Sequence, residues 1–146
     1  MRNRGASIII ENNKVALIKR VRDGKTYYVF PGGGIESGET AEQAAIRETF
    51  EELGVVIKVK RSLGTVMFNG LQVYFLAEII GGKFGSGQGE EFTHTSMDWG
   101  TYKPLWMELN KLETVDVRPV EIVDELYKLI EGGGVNEENN YSSLDD

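Results

Sequence analysis

Short runs of alternating apolar and polar residues open the chain, with the period of two that is typical of β-strands. Residues 5–11 and 14–19 are rich in isoleucine, valine and leucine, and an Asn-Asn pair between them is a turn signal. These segments predict a hairpin. Residues 27–30 predict a third short strand, which ends at Pro31 because proline lacks the N–H of a ladder hydrogen bond.

Gly32, Gly33 and Gly34 follow this strand and are predicted to form a loop. Without a Cβ, glycine adopts unusual backbone angles and lets the backbone approach a ligand closely. The three glycines are therefore candidate ligand-binding residues.

Over residues 39–53 the apolar positions recur with the period of an α-helix. Thr40 is the predicted N-cap, with Gln43 three residues later as in a capping box, and Gly54 is the predicted stop. The apolar stripe expected to face the core comprises Ala45, Ile46, Thr49, Phe50 and Leu53.

Strands dominate the rest of the chain, and they are predicted at residues 55–59, 63–68, 73–80 and 99–106. Pro104 breaks the last of them, and an amphipathic helix is predicted at residues 120–130. Glycine-rich residues 81–89 predict a flexible loop. The acidic segment 132–146 predicts a disordered tail after one domain of residues 1–131. This order of elements favours an α/β or α+β class with a mixed sheet between helices.

Composition excludes several functional classes. The chain has a formal net charge of −7 and no cysteine, so disulfides, thiolate zinc sites and cysteine nucleophiles are excluded. A strongly acidic protein repels polyanions, which argues against a DNA partner and disfavours long RNA. The apolar runs are too short for a signal peptide or a membrane span. We therefore expect a cytoplasmic protein without a membrane partner.

The helix of residues 39–53 carries a group of acidic side chains. Glu48, Glu51 and Glu52 are spaced i, i+3 and i+4, which places them on one face. Like charges at this spacing destabilise an isolated helix by roughly 0.2–0.5 kcal/mol per pair, a cost that a bound cation would offset. Hard divalent ions such as Mg²⁺ take oxygen ligands. Arg47 is placed to fork onto a carboxylate, including that of Glu39. Because glutamate runs are more commonly solvated faces, the spacing alone leaves both interpretations open.

The glycines and glutamates together resemble the Nudix box, G-x5-E-x7-R-E-U-x-E-E-x-G-U, where U is a bulky aliphatic residue. The matching positions are Gly33, Glu39, Arg47, Glu48, Glu51, Glu52, Gly54 and Val55. Thr49 is the one departure, because it occupies the first U position, and we expect local repacking there without loss of chemistry. The chain is similar to the short, single-domain, MutT-like members of the Nudix hydrolase family.

The resemblance implies an α/β/α sandwich with a mixed central sheet. It also implies a hydrolase that uses Mg²⁺, or alternatively Mn²⁺, to cleave a diphosphate linkage with water. A divalent metal neutralises the phosphates and lowers the pKa of bound water. Arg47 and Glu39 would be structural partners of the site. The implied metal ligands are Glu48, Glu51, Glu52 and the backbone carbonyl near Gly32.

Two sources of the general base stay open. Glu48 occupies the first glutamate position of the box, whereas Glu90 and Glu91 are candidates for a carboxylate from a later loop. His94 is the only histidine, and a lone loop histidine is more commonly incidental than a proton-transfer group.

The sequence defines the substrate only by its general class. A small nucleotide-like compound is the expected partner, and Arg20 and Tyr28 are candidates for contacts to its phosphates and base. Nucleoside triphosphates, ADP-ribose-like compounds, dinucleoside polyphosphates and nucleotide sugars are all open. A homodimer is compatible with the family, although no segment marks an interface.

Three rival functions have specific discriminators. The first is a nucleotide-sensing module without catalysis, although such domains usually lose box glutamates that this chain keeps. An isoprenoid diphosphate isomerase is disfavoured because its chemistry is associated with a cysteine. An RNA 5′-end pyrophosphohydrolase is disfavoured by the acidic balance and the missing basic stripe.

Overall fold

The fold is built on a mixed sheet of eight strands, which the computed structural model describes through residues 2–87 and 101–132. A 3₁₀ helix, Leu109–Thr114, connects the seventh and eighth strands. The strands and helices are, in chain order, β1 Arg4–Glu11, β2 Lys14–Arg22, β3 Lys25–Val29, β4 Gly32–Gly34, α1 Ala41–Leu53, β5 Val55–Met67, β6 Leu71–Gly82, β7 Thr101–Glu108, β8 Val117–Arg118 and α2 Val120–Glu131.

The strand order is β5-β6-β1-β2-β3-β8, with β4 added to β1 and β7 added to β2. β1 runs parallel to β6 and antiparallel to β2 and β4, and β3 runs parallel to β8. The predicted mixed sheet is thus confirmed. So is the predicted hairpin of β1 and β2, whose turn residues Asn12 and Asn13 have φ of 53° and 63°, as a primed hairpin turn requires.

Successive residues of β1 face opposite sides of the sheet, and each side is covered by one helix. Ile8 packs in a cluster with Ile122 and Leu126 of α2. Its neighbour Ile9 packs in a second cluster with Leu53 of α1. Because neighbouring strand residues point to opposite faces, these contacts place the sheet between the two helices and confirm the α/β/α arrangement.

Two strands differ from the prediction. Residues 55–59 and 63–68 were expected to be separate strands, but β5 is continuous and contains register shifts, among them one between Ser62 and Gly64. Bulges of this kind let a strand bend and continue where the alternation of its residues fails. β7 likewise continues through Pro104, which pairs with Ile18 of β2. In the described residues β7 pairs with β2 alone, and an edge strand tolerates a missing N–H.

The buried face of α1 also differs from the predicted stripe. Phe50 was expected in the core, but 52% of its surface is exposed, whereas Glu52 is only 6% exposed. The helix packs against the glycine strand β4 as well as β1 and β5. Because Glu52 accepts a hydrogen bond from β4 across that contact, the helix turns part of its acidic face toward the sheet, compared with the predicted orientation.

Several predictions concern residues outside the described ranges. Glu90, Glu91 and His94 belong to this group, as does the tail from residue 133 onward, so their assigned roles stay predictions. Neither helix in the described part of the chain combines the length and apolarity needed to cross a bilayer.

Candidate functional site

Both ends of α1 are fixed by local hydrogen bonds, which set the rotation of its acidic side chains. The Gln43 backbone N–H donates to Thr40 Oγ1 at 3.0 Å, and the Thr40 N–H donates to Gln43 Oε1 at 2.9 Å. This confirms the predicted capping box. Gly54 ends the helix with a φ of 82°, the left-handed conformation that glycine adopts without steric cost.

Arg47 is the centre of the site. Its Nε and Nη2 donate to the two carboxylate oxygens of Glu39 at 2.7 and 3.0 Å, the bidentate geometry in which arginine binds carboxylates most strongly. Its Nη1 donates to Glu48 at 2.9 Å and lies 3.5 Å from the carboxylate of Glu51. Its Nη2 also donates to the carbonyl oxygen of Gly34 at 3.0 Å. One guanidinium therefore orients the helix, the segment before it and β4.

The ion pair between Arg47 and Glu39 shifts the pKa values of both side chains. The hydrogen bond from Arg47, followed by that from the Glu36 backbone N–H, lowers the pKa of Glu39 from 4.5 to about 2. The hydrogen bond to Glu39 is also the main cause that raises the pKa of Arg47 above its ordinary value. Each partner thus holds the other in its charged form.

The triple glycine is a strand and was wrongly predicted to be a loop. Gly34, Gly33 and Gly32 pair with Arg4, Gly5 and Ala6 of β1, and none of the three has a positive φ. Glycine is required here for space instead. A Cβ on Gly32 would lie 2.6 Å from the Ala6 Cα, and a Cβ on Gly33 would lie 2.6 Å from Glu48 Oε2. The absent side chain of Gly33 lets α1 approach the strand closely, and that of Gly32 leaves room for Ala6 of β1.

Glu52 joins α1 to the same strand. Its Oε1 accepts a hydrogen bond of 3.0 Å from the backbone N–H of Gly32, and its side chain is almost fully buried. Sequence reasoning predicted that Glu52 faces a metal and not the core. The structure instead places a carboxylate in the interior, where burial is costly unless the charge is paired or hydrogen-bonded.

The acidic group does not form a closed metal cage. Within residues 2–87 and 101–132, no three acidic or histidine side chains converge as a metal centre would require. Glu48 and Glu51 turn toward Arg47 instead. The donors are nevertheless of the type that a hard divalent cation takes, because they are carboxylate oxygens, and Gly33 leaves room for the Glu48 carboxyl.

A cleft of about 790 Å³ lies beside β4. Arg20, a predicted phosphate contact, lines it, whereas Tyr28 packs against the core cluster. A contact between Tyr28 and a substrate therefore stays a prediction. Sequence reasoning missed Arg2 and Arg118, which also line the cleft. No local pattern marks them, since they come from opposite ends of the described chain.

The aromatic rim of the cleft is positioned from the core. Phe68 lines the cleft and is 66% exposed. Gln72 donates to the Phe68 carbonyl at 3.2 Å and accepts from the hydroxyl of buried Tyr74 at 2.8 Å. These two hydrogen bonds hold the backbone of Phe68 in place, although its ring is exposed to solvent.

Comparison with known proteins gives a family. The sequence model described as NUDIX domain matches residues 1–126. An ADP-ribose pyrophosphatase of Methanocaldococcus jannaschii is 38% identical over 88 residues, which cover 55% of this chain and 52% of that protein. An RNA pyrophosphohydrolase of Actinobacillus succinogenes is 46% identical over 56 residues, which cover 38% of this chain and 28% of that protein.

A solved structure shares the fold. The NUDIX hydrolase from Nitrosomonas europaea aligns with a TM-score of 0.67 at 19% identity, over 87% of this chain and 88% of that one. The chain spans about half or less of the length of the two curated relatives. Their names therefore describe proteins longer than the matched segment.

Proposed function

The chain belongs to the NUDIX family, and from that premise we propose that it hydrolyses a diphosphate linkage in a nucleoside diphosphate derivative with the help of a divalent metal. Mg²⁺ is the proposed ion and Mn²⁺ its alternative. The supporting observation is the single guanidinium of Arg47, which holds Glu48 and Glu51 together beside the glycine strand.

Each residue of the site has a separate proposed task. Glu48, Glu51 and Glu52 supply carboxylate ligands, and the backbone near Gly32 supplies a carbonyl ligand. Arg47 and Glu39 position them. A bound divalent ion would neutralise the phosphates and lower the pKa of bound water.

The proton acceptor is proposed at Glu48 or at Glu90 and Glu91. Glu48 is held by Arg47 at 2.9 Å, which keeps its carboxylate directed toward β4. A general base must come within about 2.6–3.2 Å of the proton that it removes, directly or through a water. Comparing the activity of Glu48→Gln with that of Glu90→Gln/Glu91→Gln separates these assignments.

The decisive experiment is a hydrolysis screen with and without Mg²⁺. It covers nucleoside triphosphates, oxidised nucleotides, ADP-ribose, dinucleoside polyphosphates and nucleotide sugars, with Glu52→Gln as the inactive control. Metal-dependent turnover of one compound class, lost in the variant, is the expected result. Turnover that survives both chelation of the metal and Glu52→Gln would contradict the proposal.

A non-catalytic nucleotide sensor is the alternative function. It predicts that nucleotides bind the chain and remain intact throughout the same panel. Calorimetric binding without hydrolysis would favour this alternative over the enzyme.

A further inference from the structure

Four arginines line the cleft, and they form two pairs on different parts of the sheet. Arg2 and Arg4 belong to the start of β1 and the residues before it, next to β4. Arg20 and Arg118 belong to β2 and β8. Helix α1, with its carboxylates, packs on β1, β4 and β5. Arg2 and Arg4 are therefore next to the strand that α1 contacts, whereas Arg20 and Arg118 belong to other strands of the sheet.

Arg2 is held by the backbone on both sides. Its N–H donates to the Asn69 carbonyl at 2.8 Å, and the carbonyl of Asn3 accepts from Ile35 at 3.0 Å. A Cβ on Gly34 would lie 2.7 Å from Arg2 Nη2. The Arg2 guanidinium thus lies directly against β4, close to the strand position that contacts Glu48.

Arg20 and Arg118 belong to a row of alternating rings and guanidiniums. The Arg20 Cζ lies 3.9 Å from the ring centre of Tyr102 and 5.7 Å from that of Tyr27. The Arg118 Cζ lies 4.0 Å from the same Tyr27 ring. In register, Arg20 pairs with Tyr27 on one neighbouring strand and with Tyr102 on the other. Stacking occupies the flat face of a guanidinium and leaves its N–H groups at the edge for an anion.

Both guanidiniums keep donors for a ligand. The Arg20 Nε is buried and has no hydrogen-bond partner among the described residues, which is costly unless a ligand or another group supplies an acceptor. Arg118 donates to Asp116 from Nε and Nη2 at 3.2 and 2.8 Å. A guanidinium has five N–H donors, so Asp116 orients Arg118 and leaves its other donors without a hydrogen bond to any residue that the structure describes.

The charge of the cleft is opposite to that of the chain. Glu121 is the one carboxylate among its described lining residues, against four arginines, whereas the whole chain has a formal net charge of −7. Glu48, Glu51 and Glu52 are not among the residues that line the cleft. A volume of about 790 Å³ is within the range that holds a complete nucleotide-sized ligand.

We propose that Arg20 and Arg118 bind a phosphate that is remote from the scissile diphosphate. The favoured substrate is then a nucleoside diphosphate derivative that carries an additional phosphomonoester. This inference rests on the proposed function for the identity of the scissile bond, but the binding of the remote phosphate can be measured without turnover. A small compound is favoured over an RNA end because the acidic chain repels long polyanions beyond the cleft.

The first test is metal-free calorimetry with adenosine 3′,5′-bisphosphate and adenosine 5′-monophosphate. We expect the bisphosphate to bind at least about tenfold more tightly, since a single hydrogen bond between charged groups is worth about that factor in affinity. Arg118→Gln and Arg20→Gln should each reduce that ratio toward one. Arg118 is exposed, so its variant is expected to fold. Arg61→Gln removes the same charge from an exposed residue outside the cleft and should leave the ratio unchanged.

Two outcomes of this measurement overturn the inference. Equal affinity for the two nucleotides in the wild-type protein is one. The other is that 5′-phosphorylated ApA, whose second phosphate is an internal diester, binds as tightly as the bisphosphate with the same dependence on both arginines. That result would assign the subsite to an RNA end.

The second test compares kcat/KM for substrate pairs that differ by one phosphate, NADPH with NADH and coenzyme A with its 3′-dephospho form. A preference for at least one phosphorylated member that disappears in Arg118→Gln supports the inference. Hydrolysis of both members at equal rates contradicts it and leaves the proposed function standing. If no diphosphate is hydrolysed, the proposed function fails, and the calorimetric ratio still decides whether the phosphate subsite exists.

Discussion

Ser7 of β1 and Thr49 of α1 are joined by a hydrogen bond of 2.6 Å between their hydroxyl oxygens, and both residues are 0% exposed. Thr49 occupies the box position where an aliphatic residue is expected. Its polarity is acceptable because Ser7 supplies the partner that a buried hydroxyl requires. The departure from the family pattern is therefore matched by a residue 42 positions away.

Thr49→Val should destabilise the protein by about 1–3 kcal/mol, because the Ser7 hydroxyl is then buried without a partner. The double variant Ser7→Ala/Thr49→Val should recover much of that loss, since both polar groups are removed together. Urea unfolding of the wild type, the two single variants and the double variant measures the coupling. A double variant whose losses are simply additive would show that the hydrogen bond contributes little.

Gly33→Ala should reduce activity by about a hundredfold while the protein stays folded, because small displacements of reacting groups have effects of this size. The added Cβ would lie 2.6 Å from Glu48 Oε2, and a side-chain carboxyl can move away where a backbone cannot. Gly81→Ala is the matched control, since its Cβ would lie 3.7 Å from the Val56 Cβ, an ordinary contact. Steady-state rates and thermal melting measure the two effects. Equal activities of the two variants would contradict the close contact of Gly33 and Glu48.

Glu39→Gln should lower the free energy of unfolding at neutral pH, and this loss should become smaller in acid. The pKa of Glu39 in the folded protein is about 2, below its ordinary value of 4.5. A lowered folded-state pKa stabilises the protein fully above about pH 4.5, and this stabilisation is lost as the pH falls toward 2. The stability difference between wild type and variant should therefore be constant near neutral pH and shrink below about pH 4.5.

Urea unfolding between pH 7 and pH 3 measures the Glu39 effect. Glu42→Gln is the control, because Glu42 is an exposed carboxylate in the first turn of the same helix. If the stability difference between wild type and Glu39→Gln stays constant down to pH 3, the ion pair with Arg47 does not lower the pKa of Glu39.

Local patterns were sufficient for the parts of the site that lie within one stretch of chain. Thr40, Gln43 and Gly54 predicted the ends of α1, and the spacing of Arg47 and Glu39 predicted their ion pair. These features depend on neighbours within about ten residues, where the helix and the short segment before it determine which side chains meet.

Long-range contacts account for what the sequence did not predict. The glycines of β4 have no side-chain alternation, so their pairing with β1 and their contact with Glu48 are visible only in three dimensions. The same contact rotates α1, which buries Glu52 and exposes Phe50. The cleft likewise combines Arg2 with Arg118, residues too distant in sequence for any pattern to connect.

Two substitutions of Glu52 test whether its buried carboxylate is needed for folding, for catalysis or for both. Glu52→Gln keeps an oxygen that can accept the hydrogen bond from the Gly32 N–H but removes the charge. We expect folding stability close to wild type and a loss of turnover of about a hundredfold or more, because metal stabilisation of phosphoryl charge is worth several kcal/mol. Glu52→Ala should in addition lose about 1–3 kcal/mol of stability, since the Gly32 N–H is left without its partner.

The exposed neighbour Glu51 separates the two roles of Glu52. Its side chain is 47% exposed, so Glu51→Gln should reduce turnover with a loss of stability below about 1 kcal/mol. The measurements are urea unfolding and metal-dependent hydrolysis of the same three variants. If Glu52→Gln is as active as wild type while Glu52→Ala unfolds, the carboxylate only anchors β4. The metal would then be held by Glu48 and Glu51 without it.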